Sequence, residues 1–263
     1  VPLTAARRWL QSVRNPDGSW GYLPGQDGRA EPTLLVAAAT GQADLDWLEA
    51  TPMSWQAWLT PVALRHVQAA AGLRALCVTR ILAHEGVKVE KTPGHDGLIP
   101  AWAWVEGTAP WIEPTCYAVL SLQAEGRRDH TRTTQGLAML QDRQCRDGGW
   151  NYGNSEVLGQ SLESFPGPTA WCVMALPPGD AVQRGLDRLD RVAERPSSTA
   201  LALTILARAA HDQPLAPWVA SLVSRQQTDG SFGAGRIDRT ALAAAALQVA
   251  SGGPHPFATA AAS

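Results

Sequence analysis

Charge is scarce in this chain. Only 17% of its 263 residues are Asp, Glu, Lys or Arg, and they nearly balance to a formal charge of −2. No basic field is available for nucleic acid. Long apolar runs are missing too: none approaches the ~20 residues that span a bilayer, and no charged leader precedes a short apolar block. A cytoplasmic protein is the expectation. Cysteine is sparse and scattered (Cys77, Cys116, Cys145, Cys172), without a Cys-x-x-Cys pair. Three of the four lie in apolar helical runs, so free core thiols are expected rather than disulfides. Also absent are a Gly-x-Ser-x-Gly elbow, a phosphate-binding glycine loop, an Asp-Asp-x-x-Asp metal motif and a zinc-protease helix. Phenylalanine and tyrosine number three each.

Against that background, eleven tryptophans and a 45% hydrophobic content stand out. A chain of this length and composition folds around a substantial core. Its organising feature is a repeat. Gln144-x-x-Asp147-Gly148-Gly149-Trp150 ends one apolar-periodic segment, and weaker copies occupy Arg14–Trp20 and Gln226–Phe232. Each joins a helix-like run to an Asp-Gly turn and an aromatic residue.

Between these turns, helices alternate in character. Runs that are apolar nearly all round begin at Glu31-Pro32-Thr33, Thr60-Pro61, Glu113-Pro114-Thr115, Gly167-Pro168-Thr169, Ser197-Ser198-Thr199 and Asp238-Arg239-Thr240. Helices of that kind are buried on every side. Amphipathic helices are expected at residues 4–14, 44–50, 134–143, 181–192 and 215–225. No strand pattern has comparable strength. The chain therefore reads as all-α, one domain over residues 1–263, with an inner ring of apolar helices and an outer ring of amphipathic ones. Two stretches break the pattern. Residues 54–86 read as one long helix or two meeting near Gly72. Residues 86–112 read as a long, Trp-bearing loop, the kind that is usually functional, and a pocket lid is one use for it.

The Gln-x-x-Asp-Gly-Gly-Trp element and its phased copies resemble the repeat of squalene and oxidosqualene cyclases. The related repeat of protein prenyltransferase β-subunits is similar. The outer copies are degenerate, with Arg14 in place of Gln and Phe232 in place of Trp. The resemblance implies an α/α toroid of about six hairpins, in which Gln144 and Trp150 are fasteners rather than chemistry. It also implies a hydrophobic, isoprenoid-type ligand. These residues hold no second toroid of the squalene-cyclase kind, so a chain shorter than a steroid precursor is expected.

The chemical groups of those families are only partly present. Of the cyclases' Asp-x-Asp-Asp-Thr acid, only Asp238 survives in Arg236-Ile237-Asp238-Arg239-Thr240. Two flanking arginines would lower its pKa and keep it ionised, the wrong direction for a group that must hold a proton to donate. The prenyltransferase zinc set is absent, because no Asp-x-Cys precedes Cys116 and no inner-helix start carries a His. No metal and no cofactor are expected. The alignment places Glu31 and Glu113 at the position of Asp238, all three at inner-helix starts at one end of the ring. They either interact with helix dipoles or converge as a polar cluster, a proton donor or base, at the mouth of a cavity. Trp102, Trp104, Trp111, Tyr117, Tyr152 and Trp171 are the candidate lining; aromatic faces pack cores but also stabilise cations. Two functions follow: an enzyme acting on an isoprenoid or similar apolar substrate by acid-base chemistry, or a silent toroid that binds a lipid or protein partner, with peripheral membrane contact as one form of that.

Overall fold

The computed structural model describes residues 1–91, 95–191 and 196–258. Twelve α-helices are found among them: α1 (Pro2–Ser12), α2 (Ala30–Thr40), α3 (Leu45–Ala50), α4 (Gln56–Ala63), α5 (Ala71–Ala83), α6 (Ile112–Ala124), α7 (Thr131–Asp142), α8 (Pro166–Ala175), α9 (Asp180–Asp190), α10 (Ser198–Ala209), α11 (Ala216–Val223) and α12 (Ile237–Ala250). One short antiparallel hairpin, β1 (Glu156–Val157) and β2 (Gln160–Ser161), is added to them.

The even-numbered helices form a closed ring. α2 packs on α4, α4 on α6, and so on through α8 and α10 to α12, which returns to α2. Outer helices lie over the inner helix that precedes them: α5 on α4, α7 on α6, α9 on α8, α11 on α10, and α1 on α12, which closes the circle. The composition explains the layering. α2, α6, α8 and α12 bury residues all round, whereas α9 buries only Val182, Gly185, Leu186 and Leu189 on one stripe. The expected all-α toroid is the architecture observed.

A repeated polar device sets four of the six walls, those of α2, α6, α8 and α12. Thr33 Oγ1 accepts from the Trp20 N–H at 3.0 Å and donates to its carbonyl at 3.2 Å. Thr169 clips Trp150 in the same way, and Thr240 clips Phe232. The indole then reaches the preceding outer helix: Trp20 Nε1 donates to Leu10 O (2.8 Å) and Trp150 Nε1 to Leu140 O (2.6 Å). Gln144 Nε2 bonds the carbonyls of Gly148 and of Ala181 in α9, and Gln226 bonds those of Gly230 and Pro2. The turn thus fastens one outer helix to the next, the last to the first included. Gly148 and Gly230, at φ +95° and +97°, supply the left-handed residue the turn needs.

Three expectations are corrected. Residues 54–86 form two helices, but they part at 64–70; Gly72 lies inside α5. α4 begins at Gln56, so Pro61 sits inside it and does not start it. The Ser121 hydroxyl of α6 makes this possible by inserting into the ladder, accepting from Val62 N and donating to Trp58 O. The 86–112 loop hides a fourth, divergent copy of the clip, with Trp102 bound to Thr115 and its indole to Ile81 O. Residues 92–94 of that loop, and Val192 at the end of the expected 181–192 helix, lie outside the described residues.

Candidate functional site

Every inner helix starts at the same end of the ring, because inner and outer helices alternate along the chain. Backbone bonds tie neighbouring starts together: Ile112 N donates to Tyr152 O, and Ile237 N to Tyr22 O. The loops entering α2, α6 and α8 share a phase. Each clipped indole (Trp20, Trp102, Trp150) turns into the wall, and the aromatic residue two positions on (Tyr22, Trp104, Tyr152) lines a depression at this mouth.

Glu31, Glu113 and Asp238 stand in the first turns of α2, α6 and α12. None of these helices has a side-chain cap, so capping is not their task. Tyr22 donates its hydroxyl hydrogen to Glu31 Oε2. Arg236 grips Asp238 with two bonds of 2.9 Å and lies over the Tyr22 ring at 5.0 Å. Tyr22, Glu31, Arg236 and Asp238 therefore form one network. Burial raises the Glu31 pKa; the Tyr22 bond offsets part of this, and the Asp238 charge adds to the rise.

Glu113 differs. It has no hydrogen-bond partner among the described residues, and a Cβ on Gly167 of α8 would lie 3.9 Å from its Oε1. Burial, helped by the charge on Glu31, pushes its pKa up to about 7. A first-turn carboxylate would gain from the helix dipole if ionised, so desolvation outweighs the dipole here. Because α2 and α6 are not ring neighbours, the interaction between Glu31 and Glu113 runs across the mouth. Tyr117, buried beneath, is held well above its ordinary pKa, first by burial and then by Glu113 and Glu31.

The candidate aromatics fall into three groups. Trp104, Tyr117 and Trp171 belong to one chain of rings: Trp104 to Tyr117 at 6.1 Å, Tyr117 to Trp171 at 4.9 Å, edge to face. That chain includes two residues the sequence reading omitted. Trp55 meets Trp104 at 4.7 Å, and Phe257 meets Trp171 at 5.1 Å. Trp111 and Tyr152 line a shallow depression of about 520 Å³ with Phe165, whose ring is 5.4 Å from Tyr152. Trp102 stands apart, fully buried as the clip of its wall and stacked under the Arg132 guanidinium at 4.4 Å. Tyr22 is a further site residue outside the sequence expectation, whereas Arg236 is one of the two arginines expected beside Asp238. The signal for Tyr22 was present, since it follows Trp20 as Tyr152 follows Trp150.

Glu31 and Tyr22 line a larger depression, about 950 Å³, bordered by Trp55. On the opposite side of Trp55 lies one of about 400 Å³, lined by Trp58, His84 and Trp104 among others. The ring axis itself is filled where Tyr117, Trp171 and Phe257 meet. Among the described residues no group of three His, Cys, Asp or Glu side chains could hold a metal ion. The Cys116 and Cys172 sulfurs approach to 3.6 Å between α6 and α8 as free thiols. No helix among the described residues is long and apolar enough to cross a membrane.

No protein-family model and no curated protein matches this sequence. Among solved structures, it is similar to the type II terpene cyclase MstE from Scytonema in its apo form, with 14% identity over 95% of this chain and 97% of that one and a TM-score of 0.46. A variant of that enzyme in complex with geranylgeranyl dihydroxybenzoate, its substrate, shares 18% identity over 95% of this chain and 71% of that one, with a TM-score of 0.42. A protein from Actinoplanes is similar at 16% identity over 95% and 98% of the two chains, again with a TM-score of 0.42.

Proposed function

We propose that this chain is an enzyme that protonates an apolar, isoprenoid-type substrate, with Glu113 as the proton donor. The observation that carries the reading is the asymmetry of the two glutamates. Glu31 is held by Tyr22 and lies in the field of Arg236, so it is the member that ionises first. Glu113 is half-buried and unbonded, and its desolvation holds the proton to about pH 7. Paired groups whose surroundings push their pKa values apart are how acid and base roles are divided. Asp238, neutralised by Arg236, supports the Glu31 side of the pair and is not the donor.

In this scheme the Glu113 proton passes to one alkene carbon, the π pair forming the new C–H bond. The cation left on the neighbouring carbon is stabilised by ring faces. Trp104, Tyr117 and Trp171 with Trp55 supply those below Glu113, and Trp111 and Tyr152 those at the rim. The cation is discharged by losing a proton to water or to the Glu113 carboxylate. No metal or cofactor is needed for these steps. Trp102, committed to its wall, is left out of the substrate set.

A second reading, a catalytically silent toroid that holds a hydrophobic ligand, is favoured by one observation: Tyr117, Trp171 and Phe257 occupy the axis where an internal substrate would lie. Organic extraction and mass spectrometry of the purified protein, followed by trial turnover, separates the two. The trial set is prenyl diphosphates, squalene and geranylgeranyl dihydroxybenzoate, the last being the substrate named for the Scytonema enzyme. Turnover lost in Glu113→Gln and kept in Asp238→Asn supports the assignment. Turnover indifferent to Glu113 refutes it, and a retained isoprenoid without turnover favours the silent toroid.

A further inference from the structure

The exposed apolar surface is distributed unevenly. Thirteen large hydrophobic side chains are exposed among the described residues, and eleven lie in the three loops leading into α2, α6 and α8. Those loops share the mouth end of the ring. The other two, Val1 and Leu76, lie at the chain start and on α5, and none lies in the loops at the opposite end. Scattered apolar residues need no explanation, but a concentration on one face marks an interaction surface.

The β1–β2 hairpin is the most informative part of that face. Its register pairs Val157 with Gln160, which leaves Leu158-Gly159 as a two-residue turn. Both turn residues have positive φ, +51° and +75°. Such turns favour Asn-Gly, because a side chain branching from a left-handed backbone is strained. Here the first position is a leucine, 98% exposed. An unfavourable backbone thus presents an aliphatic side chain entirely to solvent, and strain of that kind is retained where a function uses it. Behind this tip come Val157 and Leu162, and at the base Trp111, Tyr152 and Phe165.

We propose that this face docks on an uncharged lipid surface, with the Leu158 tip inserting into the acyl region and Trp111 and Tyr152 resting at headgroup depth. The order of side chains fits the interface, aliphatic at the leading edge and amphipathic rings behind. The charges decide the lipid class. Cations in the loops entering α6 and α8, which carry ten of those eleven side chains, are paired locally, Lys88 with Glu85, Lys91 with Asp96, Arg143 with Asp142 and Arg146 with Glu156. This part of the face therefore offers no free basic cluster to an anionic headgroup; the exposed Arg29 and Arg239 lie outside it, at the starts of α2 and α12. An apolar patch spread over three loops at one end of a ring suits a planar surface better than a single peptide groove. The docking stands independently of turnover; if the enzymatic reading also holds, it brings the Glu113 mouth against the phase where an isoprenoid substrate dissolves.

The test is flotation of the full chain with phosphatidylcholine vesicles at low and high salt. Wild type is expected to float with the vesicles and to be insensitive to salt. Leu158→Asp should lower the partition coefficient at least tenfold. Leu158→Asn, which suits the left-handed turn, should do so while leaving the melting temperature unchanged or higher. Leu76→Asp, off this face, should float as wild type does. Failure of wild type to float overturns the proposal, as does equal flotation of Leu158→Asp. So does binding that requires anionic lipid, or a concentration-dependent dimer in light scattering that Leu158→Asp abolishes, since a second copy would then be the occupant.

Discussion

Replacing Glu113 with Gln tests the protonation state on which the proposed chemistry depends, and it needs no substrate. The folded protein holds the Glu113 carboxyl proton up to about pH 7, against 4.5 for a free glutamate. Between those values the folded state binds more protons at this site than the unfolded chain does. Stability therefore falls as pH rises from about 4.5 to 7 and is level above. At ~1.4 kcal/mol per pKa unit, the loss is up to about 3 kcal/mol. Gln is the neutral isostere and carries no such loss. Glu113→Gln should thus match wild type near pH 4.5 and exceed it by up to about 3 kcal/mol at pH 8, which for a chain of this size is about 6–12 °C in melting temperature. Thermal melts of both proteins from pH 4.5 to 9 give the difference curve. A difference independent of pH would refute the assignment of a desolvated, protonated Glu113. One in which wild type gains on the variant as pH rises would refute the sign as well.

The variant comparison is necessary because a second group acts oppositely in nearly the same window. His255 is half-buried, its Nδ1 accepting from Phe257 N and Ala258 N and its Nε2 facing Leu206 O. Burial, with the Arg65 and His211 charges adding to it, pushes its pKa down to about 4. Stability from the neutral ring is present above pH 6.5 and is lost as pH falls toward 4. His255→Asn, which keeps an acceptor for the two N–H groups, should remove that acid-limb loss in the same melts; an unchanged limb would show that His255 is not its source. Gly185 tests the wall geometry. A Cβ there would lie 2.7 Å from Val173 Cγ2 and 2.9 Å from the Trp150 ring, so Gly185→Ala should destabilise by about 1–3 kcal/mol in denaturant unfolding. A neutral or stabilising result would mean that α9 does not sit tightly on the Trp150 wall.

Much of the architecture was written in local pattern. The apolar runs beginning with Thr33, Thr115, Thr169 and Thr240 are inner helices because only a helix surrounded by other helices tolerates apolar residues all round. The Asp-Gly-aromatic turns fixed their phase, and that phase placed Glu31, Glu113 and Asp238 at one end before any fold was known. The fourth turn escaped notice because Trp102 follows Asp96-Gly97 at a longer spacing, and its clip to Thr115 is visible only in space. What tertiary structure alone decided was environment. Three acids in equivalent positions differ because Arg236 and Tyr22 attend two of them while Glu113 is half-buried with neither. Such differences depend on distances across the ring between helices far apart in sequence. The same holds for Phe257, which fills the axis, and for Leu158, whose exposure follows from a hairpin that no alternating pattern announced. Helix periodicity is a property of neighbours along the chain; charge, burial and the shape of the mouth are properties of neighbours across it.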